Sequence, residues 1–147
     1  MGTLTVPASV EGMYQVLAQI GIYLEQEACP EAVRRQIEIS AEELLTNIAS
    51  YAYEGGEEGT GQMQVTCEIL KADGPEDGGG QKKVRILIKD RGKPFDPFAR
   101  TDPDIRLPIE ERPVGGLGIY MVKRFMDEVH YQYEDGWNIT AIEKRIQ

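Results

Sequence analysis

The sequence predicts an α+β fold in which helices pack on one face of a sheet. Two amphipathic helices come first, two strands follow them, and a third helix after a long loop leads into two final strands. Helices and strands that occur in separate runs are typical of α+β sandwiches. The order lacks the repeated strand–helix alternation of a doubly wound parallel sheet. The length of 147 residues fits a single domain over residues 1–147.

The N-terminal third of the chain predicts a short strand and two helices. Leu4–Val6 fits a strand that stops at Pro7, and Ser9 fits the N-cap of the first helix. The first helix is predicted over about residues 10–27, with the apolar stripe Val10, Met13, Leu17, Ile20 and Leu24. The second is predicted to run to about Tyr53, with the stripe Val33, Ile37, Leu44 and Ile48. Each helix therefore has one face for a core.

Two strands are predicted in the middle of the chain. In the first, every second residue from 63 to 69 is apolar, which indicates a strand with one solvated face. In the second, Val84, Ile86 and Ile88 share a face, and Asp90 continues that face by parity. A carboxylate at the edge of the core needs a hydrogen-bond donor, because burying it unpaired is costly. That donor is either an amide of an ordinary Asp-x-Gly turn or a ligand.

The stretch over about residues 95–114 contains four prolines and shows little periodicity. A long structureless segment inside a compact domain is usually functional, which favours a lid over a disordered excursion. Gly115–Gly118 then opens a predicted helix that includes Ile119–Met126. Two strands follow, one around residues 129–133 and one over about 137–146, joined by a turn at Asp135–Gly136.

The composition argues against several classes of protein. Lysine and arginine number 16 against 25 acidic residues, and the net charge of −9 argues against nucleic acid or an anionic membrane surface as a partner. No apolar run is long enough for a transmembrane helix, and the N-terminus lacks the pattern of a secretory signal. The two cysteines, Cys29 and Cys67, have no motif spacing. These features predict a cytoplasmic protein with reduced cysteines.

Two clusters are candidates for chemistry. Glu43 and Asn47 lie four residues apart on one face of the second helix, so their oxygens could address a metal-bound phosphate. Gly115–Gly118 offers free amides to an anion at a helix start, because glycine lets the backbone approach closely. Each cluster alone has an ordinary alternative, an exposed helix pair or a flexible hinge. His130, the single histidine, is most simply a surface strand residue.

In combination these features resemble the GHKL superfamily of ATP-binding domains, from about residue 9 onwards. Glu43–Asn47 looks like the N box of that family, Asp90–Gly92 like the first glycine box and Gly115–Gly118 like the second. The amino-acid sequence around the two glycine boxes closely resembles that of the bacterial anti-sigma-factor serine/threonine kinases. The implied fold is a two-layer α/β sandwich of the Bergerat type, with a mixed sheet, helices on one face and an ATP lid over about residues 95–114.

The resemblance implies ATP and Mg²⁺ as ligands. Asp90 would accept a hydrogen bond from the adenine amino group, Gly92 would let the base approach, and Thr140 would support the carboxylate. Asn47 would ligate Mg²⁺, and Glu43 would orient or deprotonate the attacking hydroxyl. The second glycine box would contact the phosphates, through Gly116, Leu117 and Gly118.

The resemblance also implies partners. Family kinases phosphorylate a serine of a small STAS-domain anti-anti-sigma protein, bind and silence a sigma factor, and are usually homodimers. The leading hypothesis is therefore a protein serine kinase that acts as an anti-sigma switch. The alternative is an ATP-gated regulatory binding module with little or no kinase activity. Direct binding to nucleic acid or to a membrane is not expected.

Overall fold

The computed structural model of the chain describes residues 1–53, 61–71, 81–99 and 117–146. The elements within these ranges are β1 (Leu4–Pro7), α1 (Val10–Gln26), α2 (Glu31–Asn47), β2 (Gln62–Lys71), β3 (Lys82–Asp90), α3 (Leu117–Phe125), β4 (Glu128–Glu134) and β5 (Trp137–Arg145). A π-helical turn, Ile48–Ala52, continues α2. In the part of the chain that the structure describes, no helix combines the length and apolar composition needed to cross a membrane.

The start of α1 depends on Ser9 and Gly12. The Ser9 hydroxyl accepts a hydrogen bond from the Gly12 amide at 3.0 Å, which confirms the predicted N-cap. A Cβ on Gly12 would lie 2.0 Å from the carbonyl oxygen of Pro7. The absence of a side chain therefore lets α1 begin directly against the end of β1.

The five described strands form one sheet in the order β1-β2-β3-β5-β4, and every pairing is antiparallel. The prediction of a mixed sheet is wrong. The reason lies in the position of β5, which forms a hairpin with β4 and inserts between β4 and β3. The strand that follows α3 runs parallel to β3, but the two do not pair because β5 separates them.

The helices pack on one face of this sheet, as predicted. Buried side chains of α1, α2 and α3 join those of β2, β3 and β5 in one hydrophobic cluster. In β3, Val84, Ile86 and Ile88 are at most 1% exposed, and Asp90 is 4% exposed in the same row. The prediction from strand parity, that this carboxylate lies at the edge of the core, is confirmed.

Candidate active site

Asp90 ends β3 with two hydrogen-bond donors beside its carboxylate. The Gly92 amide donates to Oδ1 at 2.9 Å, and Nδ2 of Asn138 donates to the same oxygen at 3.0 Å. Burial raises the pKa of the Asp90 carboxyl, and these two donors oppose that rise because they stabilise the ionised form. The ordinary Asp-x-Gly turn is thus present. Both bonds end on Oδ1, so Oδ2 is the oxygen that a ligand can address.

Asn138, which no motif marks, ties Asp90 to the turn that follows. It lies opposite Asp90 in the β3–β5 register and is 4% exposed. Its Nδ2 also donates to the carbonyl oxygens of Lys93 at 3.0 Å and Gly92 at 3.3 Å. The sequence signal for Asn138 is weak, because it is only a polar residue on the core-facing row of the last strand.

Asn138 also connects to β4 through its side-chain oxygen. Oδ1 accepts hydrogen bonds from the Tyr131 hydroxyl at 2.5 Å and from the Phe95 amide at 3.1 Å. The sequence predicts Tyr131 only as a strand residue, because its hydroxyl contact depends on which strands are neighbours. Sequence periodicity does not carry that information.

The π-helical turn brings the end of α2 against the Asp90 turn. Such turns are frequent at functional sites. The Lys93 amide donates to the Ala52 carbonyl at 2.9 Å, and a Cβ on Gly92 would lie 2.2 Å from the same oxygen. Gly92 therefore serves a close approach between two backbone segments. Its predicted role in admitting a base stays a prediction.

Tyr53, directly after the π-helical turn, also contacts the Asp90 turn. Its hydroxyl accepts from the Arg91 amide at 2.8 Å and donates to the Gln62 carbonyl at 2.6 Å. These bonds link the start of β2 to the residue after Asp90. Like Asn138, Tyr53 makes contacts at this site that the motifs do not mark.

A narrow cleft lies between the end of α2, the Asp90 turn and β5. Three predicted residues from three elements line it, Asn47, Asp90 and Thr140. Its other lining residues are Leu44, Ile48, Tyr51, Ala52, Lys93, Phe95, Pro97 and Asn138. The open volume is about 30 Å³, against roughly 300–1,000 Å³ for typical small-molecule sites. Phe95, which lines one wall of the cleft, is 44% exposed.

Glu43 lies one helical turn before Asn47 and contacts the start of α3. A Cβ on Gly118 would fall 2.2 Å from the Glu43 carboxylate carbon and 2.4 Å from each of its oxygens. Glycine thus allows the backbone of α3 to lie directly against this carboxylate. Burial raises the pKa of Glu43, and the charge of Glu42 raises it further. A higher pKa makes the ionised carboxylate a stronger base.

The remaining predicted residues are placed less fully. Leu117 is 47% exposed at the first described position of α3. Among the described residues, the side-chain hydrogen bond to Asp90 comes from Asn138 and not from Thr140. Gly116 and residues 100–114 of the predicted lid lie outside the described residues.

His130 is an exposed residue of β4, as predicted. Its Nε2 lies 3.6 Å from Glu128 Oε2, and Glu143 completes a trio of potential metal ligands that the sequence did not indicate. The Lys83 ammonium lies 3.1 Å from Glu143, so this carboxylate already has a counter-ion. The cleft beside α2 is the stronger candidate.

A wider groove of about 580 Å³ lies between α1 and α2. Three of its charged residues pair with one another, since Arg34 lies 3.8 Å from the carboxylates of both Glu25 and Glu38. Charges that neutralise one another are weaker evidence for chemistry than the buried polar residues of the cleft.

Comparison with known proteins gives a family match over nearly the whole chain. The sequence model of the histidine kinase-like ATPase domain matches residues 6–144. The chain is 27% identical over 145 residues to the serine-protein kinase RsbW of Listeria monocytogenes, covering 94% of this chain and 83% of that protein. It is 26% identical over 106 residues to the serine/threonine-protein kinase BtrW of Bordetella bronchiseptica, covering 72% of this chain. The chain spans 66% of the length of BtrW and 59% of the RsbW of Bacillus cereus.

Two solved structures share the fold. The RsbU and RsbW domains of Rv1364c from Mycobacterium tuberculosis give a TM-score of 0.60 at 16% identity, over 99% of this chain and 33% of that chain. The SiaB-SiaC complex from Pseudomonas aeruginosa gives 0.58 at 17% identity, over 99% and 90%. At these identities the likeness concerns the fold alone, and it confirms the predicted α+β sandwich.

Proposed function

The chain belongs to the histidine kinase-like ATPase domain family, and from that premise we propose that it is an ATP-dependent protein serine/threonine kinase. The proposed substrate is a serine of a STAS-domain anti-anti-sigma protein. The proposed regulatory role is to sequester a sigma factor, as a homodimer in the cytoplasm. Kinase names among its relatives support the activity. The observation that carries the proposal is that Asn47, Asp90 and Thr140 line one cleft. One turn earlier on α2, Glu43 lies against Gly118 of α3.

Asp90 is proposed to select the base. Its Oδ1 is engaged by protein donors, so Oδ2 is available to accept from the amino group of adenine. Guanine presents an acceptor oxygen at that ring position, and a carboxylate would repel it. Apolar side chains in the same cleft, including Ile48 and Phe95, would cover the faces of the ring.

The donor set on α2 fits an Mg²⁺ ion that is held mainly by phosphate. Asn47 offers a side-chain oxygen in the cleft. Mg²⁺ takes few protein ligands where the phosphates of a substrate supply the rest. Bound there, Mg²⁺ would neutralise charge on the phosphates. The Gly118 amide, near the start of α3, is proposed to contact a phosphate oxygen.

The transfer itself needs little covalent help from the protein. The serine Oγ attacks the γ-phosphorus, the bond from that phosphorus to the β–γ bridging oxygen breaks, and ADP leaves. The hydroxyl proton passes to Glu43. The raised pKa of Glu43 supports this role, because it makes the ionised carboxylate a stronger base.

The test is transfer of labelled γ-phosphate from Mg-ATP to a cognate STAS-domain protein, with the site identified as phosphoserine by mass spectrometry. Glu43→Gln should lower the rate at least about a hundredfold while ATP still binds. Glu42→Gln, a change of the neighbouring exposed carboxylate, is the comparison variant. It should retain transfer at pH values where Glu43 is ionised, because it lowers the pKa of Glu43 without removing the base. If ATP binds and the parent phosphorylates no STAS partner, the kinase assignment is wrong. Partner capture that still responds to ATP in that case would identify the ATP-gated binding module.

A further inference from the structure

We propose that Asn138 and Tyr131 are positioning residues that build the base-reading end of the cleft. Together they connect the Asp90 carboxylate on one side to the turn that carries Phe95 on the other. The proposal rests on the proposed function, because it concerns how this cleft distinguishes ATP from other nucleotides.

The donor side of the Asn138 amide is fully used. Nδ2 lies 3.0 Å from Asp90 Oδ1, 3.0 Å from the Lys93 carbonyl oxygen and 3.3 Å from the Gly92 carbonyl oxygen. An amide group has two hydrogens, which are here shared among three acceptors. One of those acceptors is the carboxylate that is proposed to read the base. The other two belong to the turn directly after it.

The acceptor side of the same amide is also filled. Oδ1 accepts from the Tyr131 hydroxyl at 2.5 Å and from the Phe95 amide at 3.1 Å. The Phe95 amide lies 3.2 Å from the Tyr131 hydroxyl oxygen as well. Turning the amide of Asn138 over would set its NH₂ group against these two donors and its oxygen against three acceptors. The network therefore permits one orientation of the amide.

A single amide orientation holds the Asp90 carboxylate in place. Because Asn138 and Gly92 both bind Oδ1, the direction in which Oδ2 presents its lone pairs is set before a ligand arrives. Lys93 and Phe95, whose backbones bind the same amide, line the cleft beside that oxygen. A preorganised acceptor gives more affinity and selectivity than one that must be ordered on binding.

Tyr131→Phe tests this arrangement with the loss of one oxygen atom. It removes one hydrogen bond to Asn138 and one to Phe95, so adenosine and ATP should both bind about five- to tenfold more weakly. GTP, which does not use the Asp90 acceptor, should change less than about twofold. Tyr133→Phe is the matched control, because Tyr133 lies on the same face of β4 and its hydroxyl has no partner among the described residues. Tyr133 is 47% exposed, and loss of its hydroxyl should leave the affinities for adenosine, ATP and GTP unchanged.

Isothermal titration of the full chain with adenosine, ATP and GTP separates the outcomes. A selective loss for the adenine ligands supports the positioning role. Equal losses for ATP and GTP, or no difference between Tyr131→Phe and Tyr133→Phe, would overturn it. Asn138→Asp is the second variant, since it keeps the acceptor oxygen but loses the donor, and it should weaken ATP more than Tyr131→Phe does. If the parent chain binds no ATP, the proposed function itself fails.

Discussion

Asp90→Asn tests base recognition by exchanging one oxygen of the cleft for nitrogen and removing one charge. In the parent, Oδ1 accepts from the Gly92 amide and from Asn138 Nδ2. The amide oxygen of the variant should keep that position, because both donors remain. The amide nitrogen then takes the position of Oδ2 and presents a donor to the base.

The expected loss of ATP affinity follows from these contacts. A hydrogen bond to a charged group contributes about 1.5–3 kcal/mol, and an unpaired donor facing another donor adds about 1–3 kcal/mol. The sum corresponds to a Kd roughly 10²- to 10⁴-fold higher. GTP should respond in the opposite sense, because the new amide can donate to the guanine oxygen. The ratio of ATP affinity to GTP affinity should therefore fall by a larger factor than the ATP affinity itself.

The fold should survive this change. Burial raises the pKa of Asp90, so its favourable contribution to stability is present below the unfolded-state pKa and is lost as the pH rises through the folded-state pKa. Burial disfavours the charged form of the Asp90 carboxyl, whereas the variant places a neutral amide at this position. The thermal midpoint of the variant without nucleotide should therefore be no lower than that of the parent.

Titration with ATP and GTP, together with thermal unfolding, decides the question. Asp127→Asn is the matched control, since Asp127 lies at the opposite end of the sheet and accepts from the Arg145 amide at 2.6 Å. The affinity of Asp127→Asn for ATP should equal that of the parent. ATP binding by Asp90→Asn within about threefold of the parent, with unchanged selectivity, would refute the assignment of Asp90 to the base.

Three further changes test the α2 side of the site. Gly118→Ala places a methyl group 2.2 Å from the Glu43 carboxylate carbon, so the carboxylate must turn away. We expect kcat to fall about a hundredfold in steady-state assays, while the thermal midpoint hardly moves. Glu42→Gln removes the like charge that helps to raise the pKa of Glu43, so the acid limb of the pH–kcat profile should move to lower pH. The sign follows because ionised Glu43 is the active form, and an unmoved limb would exclude it as the titrating base. Asn47→Ala should abolish the Mg²⁺ dependence of ATP binding, and a dependence that persists in titrations with and without EDTA would contradict its role as a ligand.

The extent of each element could be predicted from local patterns. The helical stripe predicts α1 over about residues 10–27, and the structure has Val10–Gln26. Alternation in β3 puts Asp90 on the buried face, where the structure finds it. Glu43 and Asn47 share a helix face because four residues make about one turn. Each of these features depends on residues close together in the chain.

Pairing between distant segments could not be predicted in the same way. The insertion of β5 between β3 and β4 makes the sheet antiparallel throughout, and it puts Asn138 opposite Asp90. The π-helical turn brings Ala52 against Gly92. No periodicity in either segment reports on these contacts, because periodicity records only which face a residue takes.

Local sequence specifies which side chains face the core and which residues carry the motif chemistry, because backbone geometry repeats every 2.0 residues in a strand and every 3.6 in a helix. Assembly of the sheet determines which strand supplies the Asn138 amide that donates to Asp90. It therefore determines that Oδ1 is hydrogen-bonded within the protein and that Oδ2 is available to a ligand. That outcome rests on the register between segments 48 residues apart. Register is selected by packing of the whole sheet against the helices, so it becomes definite only when the core is assembled.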